Sequence, residues 1–139
     1  METMEILLVV SGLLGFLAAA VHGVGGEIWV VRSLSPAELP SSRLGGSHLT
    51  MAMIHASWHI TTVGFLAAGA ALLLAGTAVE GDASRALAML GAASFTGFAV
   101  VVVASGAGDT RSIRPFLTHP GPAILTATAA LAWWGALSV

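Results

Sequence analysis

The chain contains no cysteine, no lysine and no tyrosine, and only 9% of its 139 residues are charged. The absence of cysteine excludes disulfides, thiolate metal sites, cysteine-ligated iron–sulfur clusters and thiol catalysis. The shortage of charge is equally informative, because a soluble domain carries about 25% charged residues. With 56% hydrophobic residues and a mean hydropathy of +0.91, the composition predicts a small integral membrane protein.

The few charges also limit the partners. The net charge is −2, so there is no basic surface of the kind that binds nucleic acid. The N-terminal sequence "METME" is acidic and the apolar run that follows it is long. Because a signal peptide has a basic start and a short apolar core, we expect this run to be a retained helix.

Four apolar runs dominate the sequence, and a membrane-spanning helix needs about 20 mostly apolar residues. We predict helices at approximately residues 5–31, 48–79, 84–105 and 119–138. The linkers are short and rich in Pro, Gly and Ser, so they leave no room for a soluble domain. The predicted fold is all-α: one transmembrane domain, residues 1–139, forming an up-down-up-down four-helix bundle.

The arginines predict the orientation of the bundle. Four of the five lie in the first and third linkers, and the remaining one, Arg85, follows the second linker; the four are Arg32, Arg43, Arg111 and Arg114. Since basic loops stay in the cytoplasm, the first and third linkers are predicted to be cytoplasmic. Both termini are then non-cytoplasmic, in a bacterial cytoplasmic membrane.

The histidines fall in one half of the predicted bundle, near the cytoplasmic linkers; they are His22, His48, His55, His59 and His119. His55 and His59 are four residues apart and share a helix face. His22 lies on a face that otherwise carries only Gly and Ala. Ionisable side chains inside a membrane are costly and usually functional, so this clustering predicts a site.

One interpretation is a metal site. Two histidines on successive helical turns can bind one ion. His22, His119 and Glu27 are the candidates for further ligands, and a nitrogen and oxygen set of this kind suits zinc, iron, copper or manganese. Glu27 lies about 140° from the His22 face of a regular helix, so it can join only if "GVGGE" bends the chain.

A second interpretation is b-type heme, held axially by His22 with His59, or by His22 with His55. The Gly and Ala face beside His22 would admit the macrocycle, and arginines at the interface would hold its propionates. A third interpretation needs no cofactor, because neutral imidazoles also hydrogen-bond helices to one another in membranes.

The stretches "VHGVGGE", Val21 to Glu27, and "SWHITT", Ser57 to Thr62, resemble a group of small bacterial four-helix membrane proteins. In that group a histidine and a glycine pair end the first helix, and a Trp-His-x-x-Thr element lies in the second. The resemblance implies that His22 and His59 are the paired positions, with His55 more peripheral. It implies no activity, cofactor or substrate.

Taken together, these patterns predict a membrane subunit whose histidines bind a redox centre, with b-type heme ahead of a non-heme metal ion. A chain of this size is expected to carry electrons or act as an accessory subunit, rather than to be a complete enzyme. The alternatives are a cofactor-free structural or assembly subunit, and a metal or proton conduit. The expected partners are the lipid bilayer and other membrane subunits or a second copy of the chain.

Overall fold

A computed structural model describes residues 2–43, 45–109 and 119–138, with only the backbone for residues 107–109. Regular structure in these ranges is helical throughout, without a strand, which confirms the all-α prediction. The helices are α1 (Thr3–Ala20), α2 (Gly26–Trp29), α3 (Gly46–Thr77), α4 (Gly81–Asp109) and α5 (Pro120–Ser138). Between α1 and α2 lies a π-helical turn, Val21–Gly25, and two 3-10 turns follow, Val31–Ser33 and Pro36–Glu38. Arg111 and Arg114, placed in a cytoplasmic linker by the sequence, lie outside the described residues.

The start of α4 differs from its predicted position. The helix begins at Gly81, not near residue 84, and Gly81 has a φ of +60°. Such a left-handed conformation favours glycine, so Gly81 marks the end of the tight turn. Ser84 lies inside the helix, and its buried hydroxyl donates to the carbonyl of Ala75, 2.8 Å away. This hydrogen bond ties the start of α4 to the end of α3.

Within the described part of the chain, three helical stretches are long and apolar enough to cross a membrane: Thr3–Ser33, Gly46–Thr77 and Gly81–Gly106. In the 18-residue apolar segment of each stretch, only 22 to 39% is buried within the protein, so most of this apolar surface faces outward. The fourth predicted span is helical, as α5, but it is not among these three. Its crossing of a membrane stays a prediction.

The chain divides into two compact units, and the first contains residues 1–18 and 65–139. Leu8, Leu72 and Phe95 are fully buried in it. The backbones of α1 and α3 approach closely here, because a Cβ on Gly12 would lie 2.9 Å from the carbonyl oxygen of Gly69. Small residues allow this kind of packing between apolar helices.

The second unit, residues 19–64, holds the polar residues of interest. It is built from the end of α1, the π-helical turn, α2, the two 3-10 turns and the first part of α3. Four of the five histidines lie in it: His22, His48, His55 and His59. The candidate site is therefore a property of this unit.

Candidate functional site

The π-helical turn changes the direction in which Glu27 points. The amide of Gly26 donates to the carbonyl of Val21, five residues back instead of four. Glycine destabilises a regular α-helix by about 1 kcal/mol per residue relative to alanine, and this turn contains Gly23 and Gly25, with Gly26 directly after it. One extra residue in a turn rotates everything that follows by about 100°, which reduces the 140° offset of Glu27 to about 40°. The bend required for Glu27 to join the histidines is thus present.

His22, in the same turn, makes three contacts with Thr62 and Trp58 of α3. Its Nδ1 is hydrogen-bonded to the hydroxyl of Thr62, 3.0 Å away. Its ring is stacked on the indole of Trp58, with centroids 4.4 Å apart and an angle of 13° between the planes. The indole Nε1 of Trp58 also donates to the backbone carbonyl of His22, at 2.9 Å. Both the ring and the backbone of His22 are therefore fixed by α3.

The small face near His22 is occupied by Trp58. A Cβ on Gly26 would overlap the indole ring, so glycine at this position is what lets the ring lie against the backbone. From the sequence, this Gly and Ala face suited either close packing or a flat cofactor. In the structure, close packing with an aromatic side chain uses the part of the face at Gly26.

Glu27, from α2, comes together with His55 and His59, from α3. One potential ligand atom from each lies within 4.8 Å of the other two. Oε2 of Glu27 lies 3.5 Å from Nε2 of His59. The two histidine rings, one turn apart on α3, have centroids separated by 6.4 Å. This group contains three of the five residues proposed as metal ligands.

The two oxygens of the Glu27 carboxylate have different surroundings. Oε1 accepts a hydrogen bond from Nε of Arg32, at 3.3 Å. Oε2 is buried, and no donor in the described part of the chain forms a hydrogen bond with it. The Glu27 side chain is only 19% exposed, whereas those of His59 and Arg32 are 52% and 70% exposed. The group is therefore covered at Glu27 and open to the outside at His59, and the neighbouring Arg32 is exposed.

The remaining histidines are not members of this group. His22 is not a member of it and is held by Thr62 and Trp58. His48 is exposed at the start of α3. The Nδ1 of His119 accepts the amide hydrogen of Gly121 at 3.0 Å, which is a helix-capping contact at the start of α5. A ligand role for His119 stays a prediction.

A groove lies beside His22 in the same unit, with a volume of about 410 Å³. Its lining is mainly apolar and includes one face of α3; the lining residues are His22, Thr50, Met53, Ile54, Ser57, Trp58 and Thr61. The groove is open to the outside, and both His22 and Trp58 line it.

Two contacts of the site were not foreseen from the sequence. Arg32 was assigned to heme propionates or to membrane topology, but it pairs with Glu27. Their separation of five residues is not a helical spacing, and the contact forms because α2 ends at Trp29. The Trp58–His22 stack joins residues that are 36 apart in sequence. The one sequence feature related to it is Gly26, where the absence of a side chain lets the indole lie against the backbone.

Comparison of the chain with protein-family models, with curated proteins and with solved structures finds no match. The chemistry of the side chains described above is therefore what bears on function. The resemblance carried by "VHGVGGE" and "SWHITT" stays a prediction.

Proposed function

We propose that the chain is an integral membrane protein that binds a transition-metal ion through Glu27, His55 and His59. Its role is that of an electron-carrying or accessory subunit. The membrane assignment is supported by three apolar helical stretches of 26 to 32 residues. It is also supported by large apolar side chains on the outer surface, such as Ile60 at 70% and Val101 at 64% exposure.

The observation that carries the metal proposal is the position of Oε2 of Glu27. A buried carboxylate oxygen that accepts no hydrogen bond is costly, and it is stabilised either by a proton on Nε2 of His59, 3.5 Å away, or by a metal cation bound between them. One ligand atom from each of Glu27, His55 and His59 also lies within 4.8 Å of the other two. Ligand atoms that share one ion at about 2.0 to 2.2 Å are roughly 3 to 3.6 Å apart, so small side-chain movements would complete the site.

The donor set narrows the choice of ion. Two imidazole nitrogens and one carboxylate oxygen suit zinc, iron(II), manganese, cobalt or copper(II), whereas copper(I) prefers sulfur ligands. The identity of the ion decides the role. Iron or copper would allow electron transfer, whereas zinc, which has no redox chemistry, would favour a structural subunit or a metal conduit.

A b-type heme on His22, with His59 or His55 opposite, is the second candidate. It is supported by the hydrogen bond from His22 to Thr62, because ligating histidines usually have their other ring nitrogen held in this way. The open groove beside His22 offers a route to the ring. The stack with Trp58 weighs against it, since Trp58 would have to move to admit a macrocycle on that face.

Absorption spectroscopy and elemental analysis of the purified full chain in detergent test these candidates. The metal proposal predicts near-stoichiometric ion without a Soret band, removal of the ion by a chelator, and visible d–d absorption after loading with cobalt(II). His59→Ala should abolish cobalt binding, and His48→Ala is the matched control, because His48 is an exposed histidine of the same helix. A Soret band would support heme. If the purified protein contains neither heme nor ion and binds no cobalt, the remaining candidates are a cofactor-free structural subunit and a proton conduit.

A further inference from the structure

Charge balance around Glu27 indicates that the proposed metal site also takes an anionic ligand that is not part of the protein. Residues 19–64 contain two acidic residues and two arginines, so the unit is neutral when its histidines are neutral. One acid, Glu27, is already paired with Arg32. A divalent ion would therefore leave two positive charges uncompensated at the end of an apolar helix, which is unfavourable.

Coordination geometry leads to the same conclusion. Glu27, His55 and His59 supply three ligand atoms, and sites with three protein ligands keep at least one position for water or an exogenous ligand. The exposed member is His59, so the vacant positions would face the open side of the group. A ligand that binds there would approach the ion from the side of the solvent or the headgroups.

Arg32 is an exposed neighbour of the group. It contacts Glu27 through Nε, and its side chain is 70% exposed. A guanidinium also carries two Nη groups, and the whole fork matches the oxygens of carboxylates and phosphates. Arg32 is one residue from the end of the apolar stretch Thr3–Ser33, and in the proposed membrane-spanning arrangement the end of this stretch would lie near the headgroup phosphates.

We infer that the metal ion at Glu27, His55 and His59 binds a phosphate group in its open position, and that Arg32 holds this group from the other side. The inference rests on the proposed metal site. A phosphate monoester or inorganic phosphate carries nearly two negative charges at neutral pH and would compensate the ion. A lipid phosphodiester would supply one negative charge from the headgroup layer. No covalent bond of the phosphate or of the protein is made or broken; a phosphate oxygen would replace water as a ligand of the ion, and the binding is reversible.

The test uses the full chain, loaded with cobalt(II) in a phosphate-free maltoside detergent, and follows the d–d absorption during titration with inorganic phosphate. The expected result is a saturable spectral change at millimolar phosphate or below. Arg32→Gln should retain cobalt, since the variant removes a repelling charge, but should weaken the phosphate response at least tenfold. Arg43→Gln is the matched control, because Arg43 is the other arginine of the unit and is also exposed.

Reconstitution separates the two sources of phosphate. If a lipid headgroup is the ligand, cobalt-loaded protein in phosphatidylglycerol nanodiscs should show the shifted spectrum without added phosphate, and protein in a phosphate-free glycolipid should not. If free phosphate is the ligand, both membranes should respond only on its addition.

A wild-type protein that does not bind cobalt would contradict the proposed function itself. Cobalt binding without a phosphate response would overturn only the present inference. So would an equal response in Arg32→Gln, or an equal response to acetate.

Discussion

The indole of Trp58 lies flat on the imidazole of His22 and donates a hydrogen bond to the carbonyl of that same residue. One side chain of α3 therefore holds both the ring and the backbone of the π-helical turn. The π-helical turn also determines where Glu27 points, because its extra residue rotates the chain that follows it. Trp58 thus acts on the proposed metal site without belonging to it.

Replacement of Trp58 should separate its two contacts. Trp58→Phe retains an aromatic ring for His22 and removes the N–H donor, so the free energy of unfolding should fall by about 1 kcal/mol. Trp58→Leu removes both the donor and the aromatic ring and should cost more, about 2 to 4 kcal/mol. Thermal unfolding in detergent, followed by circular dichroism, measures both changes. Equal stability of the two variants would contradict a role for the ring stack.

A methyl group at residue 26 should push Trp58 away from the turn. Gly26→Ala places a Cβ inside the indole ring, and such overpacking costs about 1 to 3 kcal/mol. Gly97→Ala is the control, because a Cβ at this helical glycine meets nothing within 4 Å, and alanine is the better helix former. Unfolding temperature should therefore fall for Gly26→Ala and stay or rise for Gly97→Ala. The opposite order would mean that Trp58 does not pack against residue 26.

Composition and periodicity were sufficient to predict the all-α class and the long apolar helices, because lipid requires long uncharged runs whose backbone is satisfied internally. They placed the helix ends less well. α4 starts earlier than predicted because the left-handed conformation of Gly81 ends the turn, and no periodic pattern signals a backbone angle. The up-down order of the helices and their orientation in a membrane stay predictions.

The candidate site was only partly predictable for a similar reason. Helical spacing brings His55 and His59 together, because both lie on α3 at a regular interval. Glu27 could be named only conditionally, since its direction depends on one extra residue in the turn before it. Arg32 reaches Glu27 across the end of α2, where helical spacing no longer applies.

Orientation can be tested with single cysteines, because the natural sequence has none. Asp82 is exposed in the first turn of α4, beside the linker that the distribution of arginines places outside the cytoplasm. Asp82→Cys in intact cells should react with an impermeant maleimide, whereas Arg43→Cys should react only after the membrane is opened. The reverse pattern would invert the bundle and place the histidines in the outer half.

Removal of the Glu27 charge should abolish metal binding with little change of shape. Glu27→Gln keeps the size of the side chain but replaces the buried oxygen ligand and its charge, so cobalt affinity should fall on the order of 100-fold or more. Glu38→Gln is the control, since Glu38 is the other acid of the unit and is exposed. Isothermal titration of chelator-treated protein measures both. Unchanged affinity in Glu27→Gln would remove Glu27 from the site.

His55 distinguishes the two cofactor candidates. If an ion is bound by Glu27, His55 and His59, then His55→Ala removes a direct ligand and should cost as much cobalt affinity as His59→Ala. If His22 and His59 hold a heme, His55→Ala should leave the heme bound and shift only its spectrum or potential, because both axial ligands remain. Metal content and the Soret region of the purified variants give the answer directly. Small and equal effects from His22→Ala, His55→Ala and His59→Ala would contradict both candidates, and the imidazoles would then be hydrogen-bonding groups worth about 1 kcal/mol each.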